Sequence, residues 1–152
     1  EKHLMECARQ AAEHRYKVLK VYMMIGVPDE QDEDIEELIR FTKELAAIHP
    51  VALGIAPFVP KRNTPLDVAT FAGIKPVEAR LKELSKAFRR SRAEVRPTSA
   101  RWAWVESMLA QGGPEMGEAV LQAVNSGGRF AHYKRALNAV DAETMAPWRI
   151  TG

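Results

Sequence analysis

Val18-Leu19-Lys20-Val21-Tyr22-Met23-Met24-Ile25, closed by Gly26, is the stretch on which the fold turns. Apart from Lys20 it is almost continuously apolar. A run without polar alternation predicts a strand covered on both faces, as in a parallel sheet. An acidic segment, Pro28 to Asp34, follows it. Then Ile35, Leu38, Ile39, Thr42, Leu45 and Ala46 recur at helical spacing until His49-Pro50 stops them. Asp34-Ile35-Glu36-Glu37 has the form of a capping box, which predicts a helix start there. A second apolar run, Val51-Ala52-Leu53-Gly54-Ile55-Ala56, leads into Pro57-Phe58-Val59-Pro60. Strand, helix and strand at this spacing form a βαβ unit, with parallel strands and a right-handed crossover.

Working outward, residues 1–14 read as a helix with Leu4, Ala8, Ala11 and Ala12 on one side and no capping residue before them. Without a cap or an initiator Met, the chain is expected to be a piece of something longer. Beyond Pro60 a proline-rich loop runs to about Ile74, and a helix is expected over Pro76–Arg92 with Val77, Leu81, Leu84 and Phe88 inward. Glu94-Val95-Arg96 reads as a short extended piece. From Ser99 three helical stripes follow. The first (Trp102, Val105, Met108, Leu109) is ended by Gly112-Gly113, the second (Met116, Ala119, Val120, Ala123) by Gly127-Gly128, and the third is a short helix from Phe130 to Leu137. The expected fold is α/β. Residues 1–98 form a fragment of a βα-barrel, two parallel strands with crossover helices, and 99–152 form a helical C-terminal extension. Two such units cannot close a barrel. Either the rest of the sheet belongs to a missing N-terminal part, the favoured reading, or exposed strand edges pair with a second copy.

Composition narrows the class. With 46% hydrophobic and 28% charged residues the chain suits a globular protein, and no apolar run approaches the ~20 residues that span a bilayer. No signal peptide opens it. The single cysteine, Cys7, excludes a disulfide framework and any cysteine-ligated cluster built from this chain alone, and a reducing cytoplasm is the simplest home. A net charge of +2 is too small to imply nucleic acid by itself.

In βα architectures the reactive loops follow the C-terminal ends of strands. Two loops qualify, Gly26 to Glu30 and Pro57 to Pro65, both stiffened by Pro or Gly so that they present backbone groups at little entropic cost. Composition alone favours ordinary turns. However, Gly26-Val27-Pro28-Asp29-Glu30-Gln31-Asp32-Glu33-Asp34 resembles the Gly-x-Pro-x-Glu-Thr-x-Glu-Asp segment after the fifth strand of radical S-adenosylmethionine enzymes. Ala56-Pro57-Phe58-Val59-Pro60-Lys61-Arg62-Asn63-Thr64-Pro65-Leu66 resembles the segment after the sixth strand in a cobalamin-associated branch of that superfamily. The tail, from Leu109-Ala110-Gln111-Gly112 to Gly127-Gly128-Arg129-Phe130, resembles the same branch's helical extension. Gln31 stands where the family has Thr, Arg62 replaces a common Pro and Gln111 a common Arg. The family's Cys-x-x-x-Cys-x-x-Cys motif, which lies well upstream, is not in this sequence.

The resemblance implies a parent enzyme with a 4Fe–4S cluster and, in this branch, cobalamin bound by a further domain. Such enzymes cleave S-adenosylmethionine reductively to a 5′-deoxyadenosyl radical, and the isolated chain would be inactive. It implies that Ile25 and Gly26 touch adenine from one side and Phe58, Val59 and Pro60 from the other. Lys61 would point toward substrate or a carboxylate, and Glu30 would orient its loop by accepting backbone hydrogen bonds. Taken singly, Ile25 and Phe58 read as core packing. The substrate is not implied.

Other groupings carry less. His3 and Cys7 stand four apart on a helix but lack a third ligand. Asp29, Glu30, Asp32, Glu33 and Asp34 do not fit the EF-hand pattern and suit a helix N-terminus. The basic stretch 80–101 (Arg80, Lys82, Lys86, Arg89, Arg90, Arg92, Arg96, Arg101) admits an alternative, an RNA-binding module, although interspersed Glu78, Glu83 and Glu94 favour a solvated face. A non-catalytic, self-associating domain that hides its strand edges is the other alternative. Trp102 and Trp104 read as packing residues, one of which must face away from the other's side.

Overall fold

A computed structural model describes residues 1–144. Its contacts divide the chain into two compact units. The first comprises Glu1–Pro57 and Lys75–Thr98, the second Phe58–Ile74 and the chain from Ser99 on.

The first unit holds helix α1 (Lys2–Glu13), strand β1 (Leu19–Ile25), helix α2 (Asp32–Ile48), strand β2 (Val51–Pro57), helix α3 (Ile74–Ala87) and strand β3 (Ala93–Pro97). The strands form one parallel sheet in the order β1-β2-β3, with Leu19 opposite Val51 and Val51 opposite Ala93. The architecture is thus α/β, but with three strands where two were expected. The extended piece around Val95 is the third strand: it pairs with β2 along its length, and the Thr98 N–H donates to the Ile55 carbonyl at 2.8 Å.

To make room for β3, α3 ends at Ala87 rather than Arg92. Ser91 turns the chain, its hydroxyl donating to the Phe88 carbonyl (2.9 Å) and accepting from the Ala93 N–H (3.1 Å). Helix α2 starts earlier than the Asp34 box suggested. Gln31 is its N-cap, and Asp34 acts as the third helical residue, accepting from the Gln31 N–H at 2.9 Å.

Because both crossovers step the same way across the sheet, right-handed connections place α2 and α3 on one face. Against it lie the alternate residues Val51, Leu53 and Ile55 of β2, each no more than 1% exposed, with Ile25, Ile35, Leu45, Val77 and Leu84 completing the core. The other face is not covered as the apolar run predicted: Tyr22 is 78% and Met24 57% exposed. The alternation is one of size. Large side chains face the helices, while Ala52, Gly54 and Ala56 face the open side.

In the second unit the loop 58–74 accompanies helices α4 (Ala100–Gln111), α5 (Met116–Asn125) and α6 (Phe130–Thr144). Trp104 is buried and meets Phe130 edge to face at 6.0 Å, whereas Trp102, nearly half exposed, meets Tyr133 at 5.3 Å. The two tryptophans do face different ways. Met108, Ala119, Ala123 and Leu137 fill the interior. Helix α5 ends in a Schellman motif, with Gly128 donating to the Ala123 carbonyl and Gly127 to that of Val124, both glycines at positive φ. The third helix runs on to Thr144, past the expected Leu137. The remainder of the expected extension, 145–152, lies outside the described residues. Among the described residues no helix is long and apolar enough to cross a membrane.

Candidate functional site

The C-terminal end of β1 is held by a clasp. Gly26 turns the chain at φ 74°, a region that favours glycine, and its N–H points at Glu30, whose two carboxylate oxygens each lie 3.0 Å away. The Glu30 N–H in turn donates to the Val27 carbonyl at 3.2 Å, and the Gln31 side-chain amide donates to the Asp29 carbonyl at 2.8 Å. Asp29 also adopts positive φ, 62°. The loop is therefore closed on itself by its own polar groups. A carboxylate accepting a backbone N–H is a charge-assisted bond, stronger than a neutral one. From α3, Arg80 reaches Asp32 at the start of α2 at 2.5 Å, and this bond holds its guanidinium above its ordinary range.

Beside the clasp lies the open face of the sheet. Register places Tyr22, Gly54 and Arg96 in one row across the three strands, with Lys20, Ala52 and Glu94 below. A Cβ at Gly54 would come within 2.9 Å of the Tyr22 ring, so the ring lies against the central strand only because residue 54 is glycine. Arg96 donates to Glu94 at 2.7 Å, which holds the Glu94 carboxyl below and the guanidinium above their usual ranges. Tyr22, Met23, Met24, Val27, Gly54, Ile55, Ala56, Arg96 and Thr98 line a shallow concavity of about 770 Å³. Its floor is small and apolar, and it has an aromatic ring on one side and a guanidinium on the other. That combination suits a flat, partly apolar ligand carrying a polar or anionic group.

The sequence-derived candidates fall in different places. Ile25, Gly26 and Glu30 share the clasp. Ile25 is 1% exposed, on the helix-covered side, so its side chain packs the core and only its backbone is offered outward. Phe58, Val59, Pro60 and Lys61 belong to the second unit. There Phe58 and Pro60 are buried and Val59 half-buried, while Lys61 forms an ion pair with the Glu106 carboxylate of α4. The Thr64 hydroxyl donates to the Lys61 carbonyl (2.7 Å) and the Gln111 amide to that of Asp67 (3.2 Å), so the proline-rich loop is pinned to α4. Tyr22 and Gly54 were not singled out from the sequence, and Arg96 was named only as part of the basic stretch 80–101. The signal that marks them is the large–small alternation of 51–56.

A metal cluster does not fit the side chains of the described residues. Cys7 is exposed on α1, and among the described residues no three His, Cys, Asp or Glu side chains gather to hold a metal ion. An adenine is better suited, since Met24, Val27 and Ala56 offer an apolar wall beside the clasp.

Comparison with known proteins adds one relative. The chain is similar to an uncharacterized protein of Methanocaldococcus jannaschii, with 41% identity over 71 residues, 43% of this chain and 16% of that protein. The chain thus spans about one-sixth of the length of the curated relative it matches. No family model and no solved structure matches it.

Proposed function

We propose that this chain is the C-terminal portion of the catalytic barrel of a radical S-adenosylmethionine enzyme, with the helical extension of the cobalamin-associated branch. The observation that carries the reading is the clasp. In the segment that resembles the family's loop after the fifth strand, the acid of the pattern, Glu30, engages the N–H of its glycine, Gly26, through both oxygens. The one-sided sheet supports it too. A parallel sheet with its crossover helices α2 and α3 on one face and the small residues of β2 on the other is suited to curl around an enclosed ligand as part of a barrel. On this reading the clasp and the open face form one wall of a nucleoside pocket: the backbone at Ile25 and Gly26, with Met24 and Val27, contacts adenine. Phe58, Val59, Pro60 and Lys61 serve as the loop of the next strand. The cluster, and cobalamin where it is used, are held by other parts of the parent protein.

The test is the coding sequence upstream of Glu1, followed by the parent protein itself. A Cys-x-x-x-Cys-x-x-Cys motif there is expected. The anaerobically reconstituted parent is expected to show iron–sulfur absorbance and to release 5′-deoxyadenosine from S-adenosylmethionine. An upstream sequence without such cysteines, or a parent that binds no S-adenosylmethionine, overturns the reading.

A further inference from the structure

The basic stretch 80–101 does not form one face. Arg80 is engaged by Asp32, Arg96 by Glu94 on the open face of the sheet, and Arg101 stacks over the Phe130 ring at 5.8 Å. What remains at the turn into β3 is Arg89, Arg90 and Arg92, all exposed. The fold brings a second group to the same end of the sheet from far away in sequence: Arg15, Tyr16 and Lys17, in the turn from α1 into β1. Main-chain bonds fix that juxtaposition, Leu19 donating to the Pro50 carbonyl at 2.8 Å and Val51 to that of Arg92 at 3.0 Å. With adjacent strands about 4.8 Å apart, the starts of β1 and β3 are separated by roughly 10 Å.

Three properties distinguish this rim from an ordinary solvated surface. First, none of its five cations forms an ion pair among the described residues; the acids nearest in sequence are Glu13, two residues before Arg15, and Glu94, two after Arg92 and already paired with Arg96. Second, between two of the cations stands Tyr16, 67% exposed. Third, helix α1 closes with the Schellman pattern, Tyr16 donating to the Ala11 carbonyl (2.9 Å) and Arg15 to that of Ala12 (3.1 Å). This puts Arg15 at φ 56°, where glycine is the usual occupant. A cation stands there despite a local backbone preference for glycine.

We propose that this rim, at the end of the sheet opposite the clasp, binds single-stranded RNA, with Tyr16 stacking a base and the flanking cations contacting phosphates. An exposed aromatic among unpaired cations is the arrangement that sequence-tolerant single-strand binding uses. An acidic protein would need the charges but not the ring. The proposal does not depend on the reading of the clasp.

Fluorescence anisotropy of the full chain with a labelled oligouridylate tests it, with polyglutamate as the comparison probe. Binding is expected to weaken steeply with salt, with a log–log slope of about −2 to −3.5 if three to five phosphates are neutralised. Tyr16→Ala is expected to weaken it roughly five- to a hundredfold with the slope kept, and Tyr16→Phe to restore it. Arg89→Glu with Arg92→Glu is expected to weaken binding at least tenfold and to flatten the slope. All these side chains are exposed, and unchanged circular dichroism will confirm the fold. Absence of saturable binding at low salt overturns the proposal. Polyglutamate binding as tight as oligouridylate binding with Tyr16→Ala neutral overturns it too, and assigns the rim to an acidic protein.

Discussion

Glu30 contributes more to this chain than its charge. With both oxygens 3.0 Å from the Gly26 N–H, it satisfies a half-buried donor that no strand partner reaches. Glu30→Gln keeps the shape and loses the charge, so a destabilisation of about 1–2 kcal/mol is expected in urea unfolding. Arg40 offers a second residue-scale test. Its hydrogen bond, with a further one involving Glu1, draws the Glu37 carboxyl from its ordinary 4.5 down to about 2. A lowered folded-state value means that this contribution is fully present above about 4.5 and is lost as the pH falls through about 2. Arg40→Gln is expected to return the Glu37 midpoint toward 4.5, read by NMR titration of its side chain. Glu30 was legible from sequence because its spacing from Gly26 resembles a known pattern. Arg96 was not, since its partner Glu94 lies on the same face only once 93–97 is known to be a strand.

At the scale of elements, the two faces of the central strand β2 are encoded by size rather than polarity. Hydrophobic periodicity treats Ala, Gly, Leu and Ile alike, so the two faces of 51–56 were not distinguished, and it counts Tyr22 and Met24 as apolar, so 18–25 read as a strand covered on both faces. For β3 the reason is different: a five-residue strand carrying Glu94, Arg96 and Pro97 offers an apolar signal on only one face. The first turn of α2 was misplaced because Gln31 is outside the usual set of capping residues. Gly54→Ala tests the open face. The new methyl would displace the Tyr22 ring, which is exposed and free to swing, while alanine costs the strand less than glycine. Stability is therefore expected to stay within about 1 kcal/mol of the parent, while the Tyr22 aromatic resonances shift. A large loss of stability would mean that the ring is part of the core.

The molecule as a whole has two interiors. Leu53 and Leu137 are both fully buried, one in each unit. Leu53→Ala and Leu137→Ala are each expected to cost about 2–5 kcal/mol. Hydrogen exchange is expected to rise mainly across β1–β3 in the first variant and across α4–α6 in the second. The βαβ core and the helical tail were legible because their stripes are long and strongly periodic. The division of the chain was not, since residues 58–74 leave the sheet for the helices and return, which no local pattern announces. The parallel sheet has one last consequence, a matter of reach. All its strands point the same way, so the basic rim and the clasp are separated by the length of β1, seven residues or about 23 Å. If RNA binds at the rim as proposed, a strand stacked at about 3.4 Å per nucleotide would cover that distance with about seven nucleotides, and a more extended one with fewer. The length of a bound fragment, and not its sequence, would then decide whether its far end comes near the other end of the sheet.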